Sequence, residues 1–119
     1  MEYVKVVKVT DDSIYFDNGI KLSSKHVPDC CENHYLDFSD LTLMDFGDLK
    51  FDLSKDDFFE KIEDYGILLK PINGHPVRVP GYGENNGEYS TNLTLIIIYD
   101  GKIIKSFDIE KCQKIDWGG

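Results

Sequence analysis

The segment from His26 to His34, HVPDCCENH, contains two cysteines, two histidines and two carboxylates within nine residues. Such side chains bind metals or activate thiols. If a helix begins near Cys30, that cysteine and His34 lie four residues apart on one face, a spacing that suits two ligands of one ion. In that arrangement His26, just upstream, would be a third ligand, and Cys112 or His75 would supply a fourth from elsewhere in the chain. The zinc ligands that this segment predicts are His26, Cys30, Cys31 and His34.

Two other interpretations of the segment remain open. A cysteine in the first turn of a helix feels oriented backbone N–H groups that favour its thiolate, so it could act as a nucleophile with His26 or His34 as base. More simply, Cys31 is a small buried hydrophobic residue. Asp29 and Glu32 would then form a capping box at the start of a helix. The sequence favours this last interpretation, because it alone explains both carboxylates.

The negative charge of the chain is concentrated in residues 37–64. Ten acidic and three basic residues there give −7 of the total net charge of −9. An acidic surface suits a basic partner protein, and the lack of a basic phosphate-binding footprint argues against direct nucleic-acid binding. The alternative is a solvated face that only keeps a small domain in solution. The carboxylates predicted to bind the partner are Asp56, Asp57, Glu60, Glu63 and Asp64.

Residues 73–88, NGHPVRVPGYGENNGE, are rich in glycine and include two prolines. This composition predicts a long loop, and compact domains usually keep such loops for a function. No Gly-Lys-Ser/Thr triplet follows, so the segment is not a Walker phosphate loop. Tyrosine and asparagine suit adaptable interfaces. The loop residues predicted to contact a partner are Tyr82, Asn85 and Asn86.

Hydrophobic alternation predicts that most of the chain is β-strand. The N-terminal part has the pattern of a three-stranded antiparallel meander, with a hairpin turn at Asn18-Gly19 because these residues tolerate positive φ. The run Leu95–Ile98 is apolar on both faces, which predicts a central strand. Predicted strands cover residues 2–10, 14–16, 20–22, 67–72, 89–99 and 102–109, and residues 41–53 form a further strand or hairpin.

Two segments have the spacing of amphipathic helices, residues 28–40 and residues 54–65. In the first segment, the alternation of Leu36 and Phe38 leaves a strand as the alternative. The second begins at Ser54, a good N-cap, and ends at Gly66. Its acidic residues would share the face turned to water. The predicted buried stripes are Cys31, Tyr35 and Phe38 in the first helix, and Phe58, Ile62 and Tyr65 in the second.

Length and composition fit one domain, because 119 residues with 41% hydrophobic side chains can bury a core without disulfides. No apolar run approaches the roughly 18 residues of a membrane span, and the N-terminus has no signal-peptide core. Three cysteines make a poor disulfide framework and are typical of a reducing compartment. We therefore expect a single cytoplasmic α+β domain over residues 1–119, a curved, mainly antiparallel sheet with about two helices.

Two motifs resemble small proteins of bacteria and their phages, an H-x-x-D-C-C-E core and an N-G-x-Y-S-x-N-L-T-L strand. The likeness covers about the central two thirds of the chain. It implies a bacterial or phage setting, and these families have no established activity. The matching residues are His26, Asp29, Cys30, Cys31, Glu32, Asn86, Gly87, Tyr89, Ser90, Asn92, Leu93, Thr94 and Leu95.

The sequence as a whole predicts a non-enzymatic binding or inhibitor protein. Its acidic face would engage a basic partner protein, without a cofactor and without a membrane. The alternative is a zinc-binding domain built on the segment from His26 to His34, and a thiol enzyme ranks third.

Overall fold

The computed structural model describes residues 3–26, 33–84 and 92–116. Just over half of these residues, 53%, form strands, and one helix of four residues is present among them. The elements are β1 (Val4–Val9), β2 (Ser13–Phe16), β3 (Ile20–Lys25), β4 (Asn33–Leu36), α1 (Leu43–Phe46), β5 (Lys50–Phe51), β6 (Phe59–Ile62), β7 (Gly66–Leu69), β8 (Val77–Glu84), β9 (Thr94–Tyr99), β10 (Lys102–Asp108) and β11 (Lys114–Asp116).

Six strands form a first, antiparallel sheet in the order β10-β9-β3-β2-β1-β5. The predicted meander is confirmed: β1, β2 and β3 are neighbours, and the turn between β2 and β3 has Gly19 at φ 90°. The predicted central strand is confirmed for residues 94–99, whereas residues 92 and 93 are not in a strand and residues 89–91 lie outside the described part. β9 lies between β3 and β10, and its Leu95 and Ile97 are buried.

The second sheet is organised around β8. The first half of β8 pairs with β7, which pairs with β6, and its second half pairs antiparallel with β4 and parallel with β11. The predicted loop over residues 73–88 is therefore wrong for residues 77–84, and residues 85–88 lie outside the described part. In β8, the alternate positions Val77, Val79 and Gly81 are buried. The glycines thus mark close approach of neighbouring strands, because a Cβ on Gly81 would meet the Cys112 carbonyl.

The first predicted helix is wrong from residue 33 onward, and residues 28–32 lie outside the described part. Residues 33–36 are β4, in which Tyr35 pairs with Tyr82. His34 and Leu36 are buried, whereas Tyr35 is 39% exposed. This period of two is that of a strand with one buried face.

The second predicted helix is also wrong. Residues 53–58 are turns and bends, and β6 and β7 form a hairpin in which Phe59 pairs with Leu69. Phe58 and Phe59 are both buried against Phe107, with ring centroids 5.8 and 5.0 Å from it. Asp64 adopts φ 64° in the hairpin loop, a conformation that aspartate tolerates. Tertiary burial of adjacent aromatic rings therefore overrides the helical spacing.

Ser54, the predicted N-cap, instead binds the buried side chain of Asp52. Its hydroxyl and its backbone N–H donate to Asp52 Oδ1 at 2.5 and 3.1 Å. The hydroxyl bond holds the pKa of Asp52 below its usual value. This interaction therefore stabilises the fold above the pKa of the unfolded state, and the stabilisation is lost as the pH falls through the folded pKa.

Side chains of both sheets meet in one hydrophobic cluster. The sheets curl into a half-barrel, so the prediction of a curved, mainly antiparallel sheet is confirmed and that of two helices is wrong for the described residues. Within the described part of the chain, no helix has the length and apolar character needed to cross a membrane.

Candidate functional site

The end of β3 and the strand β4 bring His26 and His34 together. Their ring centroids are 4.6 Å apart at an interplanar angle of 59°. His34 is 3% exposed and His26 is half-buried. Two of the four predicted zinc ligands are thus neighbours. The other two, Cys30 and Cys31, lie outside the described residues.

Each of the two imidazoles is oriented by a hydrogen bond at Nδ1. His26 Nδ1 lies 2.5 Å from the Asn92 carbonyl oxygen, and His34 Nδ1 lies 2.6 Å from Gln113 Oε1. Because a carbonyl oxygen can only accept, Nδ1 carries the proton in both rings. The Gln113 amide is itself oriented, since its Nε2 donates to the Glu110 carbonyl at 2.7 Å.

Gln113 was not identified from the sequence, because it lies 79 residues from His34 and belongs to no local motif. It is 2% exposed. Gly83, which pairs with His34 across β4 and β8, leaves space for this contact. A Cβ on Gly83 would come within 2.7 Å of Gln113 Oε1. The orientation of His34 therefore depends on residues of β4 and β8 and on Gln113, which directly precedes β11.

Neither candidate for a fourth zinc ligand joins this pair. Cys112 is buried, and burial raises the pKa of its thiol, which disfavours the thiolate that zinc requires. His75 is exposed in the turn before β8. At about 3.3 Å per residue, the part of β8 between Val77 and Gly83 alone spans roughly 20 Å. The described residues contain no group of three histidine, cysteine or acidic side chains that could hold one metal ion.

We expect Cys112 to react slowly with alkylating reagents in the folded protein. It is buried and its thiol is held protonated, whereas alkylation needs an accessible thiolate. Mass spectrometry of the Cys112 peptide after iodoacetamide treatment should show labelling at least about ten-fold slower without urea than with it. Equal rates in the two conditions would show that the thiol is accessible in the folded state.

A second group of functional side chains surrounds Lys114 of β11. Its ammonium lies 5.0 Å from the centroid of the Tyr65 ring and 5.7 Å from that of Tyr82. Both distances are within the range of cation–π attraction. The ring of Tyr35 lies beside that of Tyr82, with centroids 6.1 Å apart. Three tyrosines and a cation thus share this face of the second sheet.

Two open depressions adjoin at Lys114 and Ile115, one of about 590 Å³ and one of about 330 Å³. We call them together the acidic–aromatic cleft. Four carboxylates and two lysines line it, so its net charge is negative. The charged residues are Glu63, Asp64, Glu84, Glu110, Lys111 and Lys114, and the aromatic residues are Tyr35 and Tyr82.

The predicted partner-binding residues do not share one helix face, because no helix forms there. Glu63, Asp64 and Tyr82 meet at the acidic–aromatic cleft. Asp56 lies away from it and pairs with Lys105 at 3.2 Å. The remaining carboxylates, Asp57 and Glu60, are exposed in the turn before β6 and on β6 itself. Asn85 and Asn86 lie outside the described residues.

Comparison with known proteins gives no assignment. No protein-family model matches the chain, and neither a curated protein nor a solved structure matches it. Function is therefore inferred from the geometry of the acidic–aromatic cleft and of the histidine pair.

Proposed function

We propose that this protein is a non-enzymatic binding protein that holds a basic segment of a partner protein in the acidic–aromatic cleft. The observation that supports this function is the position of Lys114. Its ammonium lies near two tyrosine rings in a cleft that four carboxylates line. A lysine or arginine of a partner protein would make the same kinds of contact next to Lys114. It would form a cation–π contact with the exposed ring of Tyr35 and ion pairs with the carboxylates of Glu63 and Asp64.

The energies of these contacts determine how many basic side chains a partner needs. An exposed cation–π contact contributes about 0.5–1 kcal/mol, and an exposed ion pair contributes about 0–1 kcal/mol. One basic side chain would therefore bind weakly. A segment with several lysines or arginines would sum these contacts, and the surrounding negative charge would speed its approach.

The concentration of negative charge in residues 37–64 also supports a basic partner protein. Glu63 and Asp64 occupy the exposed loop of the β6–β7 hairpin, within the segment that carries −7 of the net charge. Charges of this kind attract across about one Debye length, roughly 8 Å at physiological ionic strength. Binding to a basic segment should therefore weaken as salt is added.

We expect the paired substitution Glu63→Gln with Asp64→Asn to weaken binding of a basic peptide by about ten-fold, since two ion pairs together contribute roughly 1.4 kcal/mol. Asparagine also tolerates the positive φ at residue 64. The probe is a fluorescein-labelled peptide of alternating arginine and glycine, and fluorescence anisotropy at low and high salt gives its affinity.

A matched control is the pair Asp11→Asn with Asp40→Asn. Both aspartates are exposed, and neither lines the cleft. The control also removes two negative charges, but these lie away from the cleft. Its effect on peptide affinity should therefore stay below about two-fold at moderate salt, where distant charges are screened. Equal losses in the two pairs would mean that only the overall charge attracts the peptide. No loss in the Glu63/Asp64 pair would exclude the cleft as the binding site.

A further inference from the structure

We infer that His26 and His34 form a binding site for a divalent transition metal of the zinc type, with Nε2 of each ring as the ligand atom. Gln113 and the Asn92 carbonyl orient the two rings from outside the coordination sphere. Gln113 also lines the acidic–aromatic cleft, but the inference of a metal site does not rest on the proposed binding of a basic segment.

The first reason is the tautomer of the two rings. Both Nδ1 atoms donate to oxygen acceptors, at 2.5 Å to Asn92 and at 2.6 Å to Gln113. In a neutral imidazole the lone pair is then on Nε2. A histidine that binds a metal nearly always donates its other ring N–H to a carbonyl or carboxylate, which fixes the ring orientation. Both histidines already have this arrangement.

The second reason is the spacing of the rings. Zinc binds imidazole nitrogen at about 2.0–2.1 Å in tetrahedral geometry, which places the centres of two bound rings about 5 Å apart. The observed separation is 4.6 Å. The burial of His34 and Gln113 shields their hydrogen bond from water, so the ring of His34 is fixed before any metal arrives. Two imidazoles with fixed tautomers at this spacing are half of a tetrahedral ligand set.

The test is zinc binding by chelator-treated protein. Isothermal titration calorimetry measures the affinity and stoichiometry, and the melting temperature measures the stabilisation by bound zinc. A metal that binds only the folded state raises the melting temperature. We expect wild-type protein to bind zinc at one equivalent with a rise in melting temperature. His26→Gln should abolish most of that rise. His75→Gln is the matched control, because His75 is exposed in a turn at the far end of β8, and it should keep the full effect.

Gln113→Leu tests the orienting contact. The loss of such an outer partner typically weakens metal binding by about 10–100-fold. Circular dichroism without metal shows whether His26→Gln and Gln113→Leu fold, and the half-buried His26 makes the first of them the safer variant. Cobalt substitution adds a readout of ligand type, because its visible spectrum reports tetrahedral coordination and its near-ultraviolet band reports thiolate ligands.

Zinc affinity that is the same in His26→Gln as in wild-type protein would overturn the inference, and so would the absence of binding by wild-type protein. The peptide assay contains no added metal. A failure of zinc binding therefore leaves the proposed cleft function standing, and a failure of peptide binding leaves the metal site standing.

Discussion

Replacing Gly66 with alanine should destabilise the fold by about 3 kcal/mol or more, the upper part of the range for overpacking. Gly66 pairs with Pro80 across β7 and β8. A Cβ at this position would collide with the Val79 carbonyl and would lie 2.7 Å from the Gly81 nitrogen. These are backbone atoms of β8, so they cannot move aside without breaking the pairing of β7 with β8.

The effect is large for a domain of this size, because natural domains are stable by only about 5–15 kcal/mol. The melting temperature of Gly66→Ala should fall by about 10 °C or more. Gly74→Ala is the control: its Cβ would meet only the side chain of Leu49, which can rotate away. Thermal unfolding followed by circular dichroism compares the two. Equal losses would mean that β7 and β8 can separate at little cost.

The second large effect is expected for Phe58→Ala, at about 3–5 kcal/mol, the usual cost of removing a buried phenylalanine. Phe58 is 2% exposed. Its ring lies 4.9 Å from that of Phe59 and 5.8 Å from that of Phe107, measured between centroids. Phe59 belongs to the second sheet and Phe107 to the first. The cluster therefore joins the two sheets, and a cavity there would loosen both.

Urea unfolding gives the free energy of unfolding and its dependence on urea for this variant. Met44→Ala is the matched control, because Met44 is 91% exposed and a surface substitution of this kind usually changes stability by less than about 0.5 kcal/mol. A loss below about 1 kcal/mol in Phe58→Ala would show that the cluster does not join the sheets.

Local signals in the sequence predicted the parts of the fold that depend on local chemistry. The Asn18-Gly19 turn formed, with Gly19 at φ 90°. The predicted strands 89–99 and 102–109 leave Asp100-Gly101 between them, and these two residues form a turn at φ 53° and φ 76°. The first loop has three residues, 17–19, and the second has two, and in each a residue at positive φ permits a tight turn between paired strands. The meander and the central strand β9 follow from these turns.

The errors occur where distant contacts decide the structure. Phe58, Ile62 and Tyr65 have helical spacing, yet contact with Phe107 of another strand selects the hairpin. The glycines of residues 77–84 resemble loop residues, but they permit other strands to approach β8. Similarly, the contact of His34 with Gln113 joins residues far apart in the chain. Periodicity in a single sequence carries no signal for such pairings.

The strand β11 has only three residues, and it is attached to β8 by parallel pairing. It carries Lys114 of the cleft and directly follows Gln113, the hydrogen-bond partner of His34. Short strands at the edge of a sheet, as β11 is, tend to open locally at a free energy below that of global unfolding. One such opening would separate Lys114 from the tyrosine rings and Gln113 from His34 together. The amide protons of β11 would then report, by hydrogen exchange, the fraction of time for which both sites are intact.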